Sequence, residues 1–588
     1  MSGIFAYTGN ELCRDIIFGG IACLEHRGRE LFGSAIKGES GISLFKSTGS
    51  PKELKENIQK IKSEGFTGLA ECKNASRIKA SAITSVPCAG GGFAVSLDGE
   101  IENFEQLKRR LNVSFPVASD EDLALALMCT SNETQTLFRL NSVMKAIEGS
   151  PTAVVITDSE EAIYCKAGEA PLIIGIFEEG IAVASELYAL LPQAKRYLVL
   201  EEGELAKITK ERALIYDEKL RRRKKPLLPI PEIRAFENDF RLKDEVFCLP
   251  VALKDTLTSL VKGGELTLDG FNPSRRRIEK TKRVIFTGSG DSFFAAALGA
   301  HFIEQLSDLP CEAYPSGELR FLPKLFDRGT LLIAVSSRGE SADTVFCAKR
   351  AASFGAKTLA ITSAPHSFLA RCCDETISPN SDFTSGEVCL RSFISSGLTL
   401  CLAALRLGLT NEVISEIYFN VALKIAEMLP GKISAAVKPS QGINALAKDI
   451  INSESVMLTG LGADLSTCAD SAEKIRKITG VFCFSKSLTE AENEAGEFIK
   501  RTKIIAVISN GELLTRALRH LRRLTLVGAD ITLIAAEGLE EEITGFEKTI
   551  AFPDSIPLFN WCTGAVCLYS AAVTAKQLIE NESADKAV

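Results

Sequence analysis

Apolar and polar positions follow two rhythms along this chain. Up to about residue 225, short apolar runs alternate with polar turns. They include the opening SGIFAYTG, then Gly91–Ser96, Ala153–Thr157, Leu172–Ile176, Ile181–Ala184 and Tyr197–Leu200. Runs of this length and composition predict strands, with Asp98-Gly99 as a turn dipeptide. Helical spacing covers Asn10–Glu25, and YLVLEEGELAKIT predicts a hairpin. This part is expected to be α+β and mostly antiparallel.

A basic, then Pro-rich run, KLRRRKKPLLPIPE at Lys219–Glu232, predicts a linker. Beyond it the rhythm changes. Short apolar runs at Val284–Phe286, Leu331–Val335, Thr358–Ile361 and Thr376–Ser378 are separated by helical patterns. The same alternation returns at Val456–Leu458, Ile504–Ile508, Ile531–Ile534 and Thr549–Phe552. Alternating βαβα with buried strands predicts parallel doubly wound sheets. Setting TGSGDS beside TGLGAD aligns two copies: strand, Thr-Gly-x-Gly, polar residue, helix. The expected division is 1–218, a linker at 219–245, two α/β units at 246–425 and 426–575, and a tail at 576–588.

Chemistry concentrates at Leu331–Thr344, LLIAVSSRGESADT. An apolar strand ends in Ser336-Ser337-Arg338-Gly339 and a helix follows from Glu340. Such a turn offers backbone N–H groups and the positive end of a helix dipole. Hydroxyls and an arginine beside them suit a phosphate. The same serines could be ordinary helix caps.

Composition narrows the classes. At 588 residues the chain is long enough for three or four domains. A net charge of −7 leaves no global basic footprint for nucleic acid, and the run KLRRRKK reads as a solvated linker. Seventeen cysteines without CxxC pairs and four histidines give no metal-ligand spacing, so no metal and no cofactor are expected. Free thiols without a signal peptide fit a cytoplasmic location. No run long enough to span a membrane stands out; Ile394–Leu407 reads as a buried core helix.

Taken with these motifs, the chain resembles, end to end, the glutamine–fructose-6-phosphate aminotransferase (isomerising) family, also called glucosamine-6-phosphate synthases. The resemblance rests on SGIFAYTG with CLEHRGREL, DGEIENFEQLKRRL, YLVLEEGELAKIT, SSRGESADT and AGEF, in matching order and spacing. It implies an N-terminal-nucleophile glutaminase-like domain (αββα) followed by two flavodoxin-like sugar-isomerase (SIS) domains. It also implies a homodimer whose partners are a phosphorylated sugar and glutamine.

Residue by residue, the resemblance is uneven. Ser2 stands where the family has its nucleophilic Cys, and a hydroxyl is far harder to ionise than a thiol. The run Thr-Arg-Trp-Ala-Thr-His-Gly is here CKNASRI, Cys72–Ile78. The oxyanion-hole Asn-Gly is Asp98-Gly99; Gly99 keeps a backbone N–H, but an ionised Asp98 repels an oxyanion. Arg27 and Asp120 match glutamine-binding positions. In the sugar-phosphate turns the family's Ser-Gln-Ser-Gly-Glu-Thr is Ser336-Ser337-Arg338-Gly339-Glu340-Ser341: hydroxyls remain at Ser336, Ser337 and Ser341, Arg338 is new and suits a phosphate, and Ser289 keeps a hydroxyl, while Val-Ala-Ser-Thr-Lys is replaced by EVCLR, Glu387–Arg391. Lys474 matches a family Lys, but Lys477 replaces the family's Glu and Lys500 its His. Glu473 and Glu497 are the carboxylates nearby, and Lys586 in the tail is the counterpart of the Schiff-base Lys. For Lys474, Lys477 and Lys586 the alternative is solvated charge. The resulting expectation is a sugar-phosphate-binding protein that has lost glutaminase activity. Its alternatives are an active aminotransferase, a non-catalytic regulator, and an isomerase or deglycase for another phosphosugar.

Overall fold

A computed structural model describes residues 2–49, 64–74, 86–111, 116–191, 193–231, 242–268, 270–381, 388–438, 440–494, 496–509 and 511–587. The chain divides into two compact units, Met1–Ala235 and Phe236–Val588.

In the first unit fifteen short strands form two antiparallel sheets. The strands are β1 Ser2–Gly9, β2 Leu31–Gly38, β3 Gly41–Thr48, β4 Thr67–Lys73, β5 Cys88–Gly90, β6 Phe93–Asp98, β7 Thr152–Thr157 and β8 Ile163–Lys166. They continue as β9 Leu172–Ile176, β10 Gly180–Ala184, β11 Arg196–Leu200, β12 Leu205–Ile208, β13 Ala213–Tyr216, β14 Arg222–Arg223 and β15 Leu228–Pro229. The sheet orders are β15-β11-β9-β10-β1-β4-β2-β3 and β14-β13-β12-β8-β7-β6-β5. Ile4, Ala6, Ala35 and Leu69 of one sheet meet Ala94, Val154, Ile156 and Ile163 of the other in a dry interior. Helix α1 (Cys13–Ala22) buries Ile17 and Ile21 and packs on β1 and β4. Helices α2 (Asp120–Thr130) and α3 (Thr136–Ala146) cover the other sheet through Leu123, Leu140 and Val143. The result is the αββα layering of N-terminal-nucleophile hydrolases, since each sheet must cover its outer apolar face.

Two local expectations differ from the structure. YLVLEEGELAKIT is not a hairpin: β11 pairs with β9 and β15, whereas β12 pairs with β8 and β13 in the other sheet. Nearly every residue of both strands is buried. Turn chemistry alone therefore could not say which sheet each strand joins. The basic, Pro-rich run is also not wholly a linker. Arg222–Arg223 pairs with Ile215–Tyr216, and Leu228–Pro229 pairs with Arg196–Tyr197 at the sheet edge, where a proline is tolerated.

In the second unit a short hairpin (β16 Val261–Lys262, β17 Glu265–Leu266) precedes two parallel sheets. The first comprises β18 Arg283–Gly288, β19 Cys311–Pro315, β20 Thr330–Val335, β21 Lys357–Ile361 and β22 Glu375–Ile377, in the order β19-β18-β20-β21-β22. The second comprises β23 Ser455–Gly460, β24 Cys483–Ser487, β25 Thr502–Ile508, β26 Asp530–Ala536 and β27 Lys548–Phe552, in the order β24-β23-β25-β26-β27. Both have the flavodoxin-like order 2-1-3-4-5, with the switch point beside the first strand. The helices that follow each turn are α4 (Asp291–Ser307) and α5 (Ala342–Ser353) on the first sheet and α7 (Ala463–Thr479) on the second.

Two apolar helices, α6 (Leu390–Thr410) and α8 (Pro557–Ala587), lie in the common core. Each has a window long and apolar enough to cross a membrane, but 83% and 94% of those windows are buried inside the unit. The expected tail at 576–588 instead continues α8 to Ala587, helped by an i,i+4 pair of Lys576 and Glu580 at 3.7 Å. The two helices touch where Phe393 meets Trp561 edge-on at 5.4 Å. Gly397 lies beneath that ring, and a Cβ there would sit 2.5 Å from Trp561. Gly397→Ala is expected to destabilise the second unit by about 1–3 kcal/mol, the usual cost of overpacking, as measured by urea unfolding.

Candidate functional site

The first sheet's C-terminal edge carries the serine turn. After β20, the Ser336 N–H donates to Ile361 O at 3.0 Å, and the Gly339 N–H returns to Ser336 O and Oγ at 3.0 and 3.1 Å. Gly339 has φ +67°, and a Cβ there would lie 1.9 Å from Ser367 Oγ. Ser336 is buried, so its hydroxyl staples the turn rather than facing outward. Ser337, Arg338 and Ser341 are half-buried at the rim, and Ser289 of the TGSGDS turn is exposed.

The two turns are joined by hydroxyls. Ser289 Oγ lies 3.2 Å from Ser341 Oγ, which accepts from Thr344 Oγ1 at 3.1 Å. Thr344 Oγ1 is 2.8 Å from Ser316 Oγ, which is 3.1 Å from Thr287 Oγ1. A continuous row of hydroxyls thus runs from the core to the rim. Asp343, in the first turn of α5, would oppose an anion, but Arg320 pairs with it at 2.6 Å.

Lys474 lies inward of this rim. Its side chain is 1% exposed, with Nζ at 2.7 and 2.8 Å from the Asp470 carboxylate, 3.1 Å from Tyr569 Oη and 3.7 Å from Asp291 Oδ2. Tyr569 Oη also donates to Asp470. Nζ stands over the Tyr569 and Phe393 rings at 4.7 and 5.4 Å. Burial works to neutralise Lys474, but Asp470 and Asp291 more than offset it and hold the ammonium. Burial pushes the Asp470 carboxyl up, against the pull of Lys474. Its two carboxylate neighbours therefore favour the charged form of Lys474. Lys477 pairs with Glu473 at 2.6 Å, and Asp291 and Glu473 likewise keep it protonated against partial burial. Asp291 lies two residues from Ser289 and so links this cluster to the TGSGDS turn.

The remaining candidates of this unit lie elsewhere. Glu497 is exposed and pairs with Lys500 at 3.3 Å. Arg391 is buried against Glu245 at 2.9 Å. Glu387 and the side chain of Lys586 lie outside the described residues. Sequence reasoning missed Asp291, Asp470 and Tyr569. Only the i,i+4 spacing of Asp470 and Lys474 was available to signal them.

The second sheet carries the matching TGLGAD turn. Here Asp464 is buried, and its carboxylate accepts from Ser509 N–H at 3.0 Å and from Ser509 Oγ at 2.7 Å. Burial raises its pKa to about 6, against the pull of the Ser509 bonds.

In the first unit, Ser2 is buried at the start of β1, and its N–H donates to Asp98 Oδ1 at 2.7 Å. Asp98 Oδ2 lies 3.3 Å from Arg27 Nη1, Arg27 Nε lies 3.3 Å from Glu186 Oε1, and Glu186 Oε1 lies 2.9 Å from His26 Nε2. Arg27 is thus engaged by two buried carboxylates. Ser2 Oγ has no hydrogen-bond partner among the described residues. Gly99 has φ +124°, and a Cβ there would press Pro151 Cα at 2.9 Å. Asp120 accepts from the Ile101 N–H at 3.4 Å, and burial followed by the charge of Glu121 raises its pKa. Glu71, buried on β4, is pushed well up by burial and by Glu121, with Lys73 opposing. Lys73 itself pairs with Glu121 at 2.5 Å. Residues 75–78 of CKNASRI lie outside the described residues. Sequence reasoning did not single out Glu71, Lys73 or Glu186.

Comparison with known proteins agrees with this layout. A family model, SIS domain, matches residues 277–406, which include both turns of the first parallel sheet. The glutamine–fructose-6-phosphate aminotransferase (isomerising) of Caldanaerobacter subterraneus subsp. tengcongensis is 25% identical over 569 residues, covering 95% of this chain and 93% of its own. That of Clostridium acetobutylicum is 24% identical over 579 residues, with 95% and 93% covered. Among solved structures, the C-terminal domain of glucosamine-fructose-6-phosphate aminotransferase from Francisella tularensis superposes with a TM-score of 0.55 at 18% identity, covering 58% of this chain and 98% of that domain.

The raised pKa of Asp464 makes stability depend on pH. Between the ordinary carboxyl value of about 4 and a folded value of about 6, the folded state binds the extra proton, so stability falls as pH rises. The penalty is absent below pH ~4 and complete above pH ~7. Asp464→Asn is expected to match wild type at pH 4 and to exceed it by roughly 2–3 kcal/mol above pH 7, at about 1.4 kcal/mol per pH unit. Urea unfolding across pH 4–8 measures the difference.

Proposed function

We propose that this chain, a divergent member of the glutamine–fructose-6-phosphate aminotransferase family, binds a sugar phosphate of the fructose-6-phosphate or glucosamine-6-phosphate class in its first SIS domain and has lost glutamine hydrolysis. The observation that carries the binding half is the row of hydroxyls from Thr287 to Ser289 and Ser341 at the carboxyl ends of parallel strands. Open α/β sheets hold their ligands at that edge, beside the topological switch point. Ser289, Ser337 and Ser341 supply hydroxyls, Arg338 supplies charge, and the N-terminus of α5 adds its dipole. Ser336 holds the turn's shape.

The lost glutaminase rests on the first unit. An N-terminal nucleophile uses its own α-amine as base. Here the Ser2 nitrogen is the amide of the Met1–Ser2 peptide bond, which has no basicity, and its N–H donates to Asp98 Oδ1 at 2.7 Å. In a chain cleaved after Met1, a carboxylate at that place favours the protonated, non-basic form of the amine. Asp98 also opposes the oxyanion that glutamine attack would build. Arg27 is held by Asp98 and Glu186, so its charge is already balanced before any substrate arrives. A cytoplasmic homodimer without nucleic-acid or membrane partners belongs to the same proposal. Its support is the relatives' end-to-end similarity and cysteines that are all free thiols.

A second reading, isomerisation of a phosphosugar, is favoured by Asp291. That carboxylate lies two residues from Ser289 and 3.7 Å from Lys474 Nζ. Proton transfer between neighbouring sugar carbons needs such a group within reach. Incorporation of solvent deuterium into the bound sugar would favour isomerisation over binding alone.

Millimolar fructose-6-phosphate or glucosamine-6-phosphate is expected to raise the thermal midpoint, since a ligand at 100 times Kd adds about 2.7 kcal/mol. The Ser337→Ala, Ser341→Ala double variant should lose most of that rise. No shift in wild type removes the phosphate site. Ammonia release from glutamine is expected to stay at background in a coupled assay, and turnover above it overturns the lost-glutaminase half.

A further inference from the structure

The two parallel sheets repeat the Thr-Gly-x-Gly turn and a Ser-x-Gly after the third strand of each, but Ile508 and Leu513 stand where the first copy has Ser336 and Ser341, and the two copies are filled differently. Strand register fixes the correspondence. Thr287 pairs with Ala334 in the first sheet, and Thr459 pairs with Ala506 in the second. Counting from these pairs, Ser337 corresponds to Ser509, Gly339 to Gly511, Ser289 to Leu461 and Ser292 to Asp464. The Thr-Gly-x-Gly turns agree in backbone, Gly290 having φ 55° and ψ −130° and Gly462 φ 58° and ψ −127°, whereas the glycines after the serines differ, with φ 67° at Gly339 and 148° at Gly511. Thr287 Oγ1 donates to Tyr314 O at 2.9 Å, and Thr459 Oγ1 donates to Lys486 O at 2.8 Å.

The difference is at the donors. In the first copy the Ser337 carbonyl is tied down by the Ser363 N–H at 2.9 Å and Thr362 Oγ1 at 3.2 Å. Its N–H and hydroxyl have no partner among the described residues, and the residue at the position of Asp464 is the neutral Ser292. In the second copy the equivalent N–H and hydroxyl, those of Ser509, both end on the Asp464 carboxylate at 3.0 and 2.7 Å. We infer that the second sheet carries a duplicate anion seat whose occupant is the chain's own Asp464 carboxylate, so that Asp464 limits the chain to one phosphate ester across two matched seats. Asp464 satisfies the donors that a phosphate would need and places a negative charge where a second anion would have to enter. Leu461 supplies no hydroxyl where the first copy has Ser289. The duplicate, once opened, is therefore the weaker of the two.

This inference rests on the first seat only for comparison, and counting bound anions separates the two. The full chain is titrated with inorganic phosphate, the probe of the bare seat, and bound ions per chain are counted by equilibrium dialysis. Wild type is expected to hold one and Asp464→Ser two, the second lost again on adding Ser509→Ala. A wild type that holds none beside an Asp464→Ser variant that holds one removes the first seat and keeps the self-occupied second. Two ions on wild type, or no gain in a folded Asp464→Ser variant, overturns the inference. Asp464→Ala, which deletes the carboxylate without adding a hydroxyl, repeats the test should the serine variant fail to fold; it too must gain an ion.

Discussion

The second unit is organised around one buried ammonium. Lys474 projects from the first helix of the second sheet and reaches Asp291 at the first turn of the first sheet, with Asp470 and Tyr569 completing its shell. A charge with 1% exposure is tolerated only when paired and hydrogen-bonded on most sides. Removing one member of such a pair typically costs about 3–5 kcal/mol, because the other is left buried and uncompensated. The cluster draws on four elements: α4, α7 and α8 supply its polar groups, and α6 supplies the Phe393 ring under Nζ. The spacing of the two sheets' turns is thereby set by charge as well as by the apolar core. Asp291 gains a defined position next to Ser289 as a consequence, so the TGSGDS turn is fixed by a core ion cluster as well as by its own hydroxyl contacts.

The first unit uses buried charge to the opposite effect. There the Ser2 nitrogen, Asp98, Arg27, Glu186 and His26 form one linear series of buried contacts. An arginine that would meet a ligand's carboxylate already has two. Asp98 explains why both ends of this series are stable: it compensates Arg27 and takes the Ser2 N–H with its other oxygen.

What the sequence revealed follows from the range of the interactions. Strands such as Leu331–Val335 and Ile504–Ile508 were legible because every residue is apolar and buried, so the pattern is local. The duplicate turns were legible for the same reason, since Thr-Gly-x-Gly fixes a strand-to-helix turn by itself. The sheet membership of Tyr197–Leu200 and Leu205–Ile208 was not legible, because two fully buried strands satisfy either sheet. The Pro-rich run read as linker because proline excludes central strands but not edges. At the site, serines were legible as residue types but not as roles. Ser336 and Ser337 are neighbours, and only the inward rotation of one makes it a staple and leaves the other at the rim. Tyr569 lies 99 residues from Asp470 and Asp98 lies 96 from Ser2, separations at which no pattern along the chain signals contact.

The two sheets show how a duplicated framework becomes unequal with few changes. Their strand order, Thr-Gly-x-Gly backbone and threonine anchors are shared, so the two differ as anion sites through the residues set on a common framework. One exchange, Ser292 against Asp464, decides whether the serine donors face outward or inward to a carboxylate. A second, Asp291 against Ala463, decides whether the turn is tied to the Lys474 cluster. Both exchanges place an acid within the first turn of a helix, where the dipole favours it. In the first sheet that acid points to a lysine and leaves the seat alone; in the second it occupies the seat. Much of the asymmetry therefore arises from where one carboxylate is directed, from Thr-Gly-x-Gly turns whose backbones match.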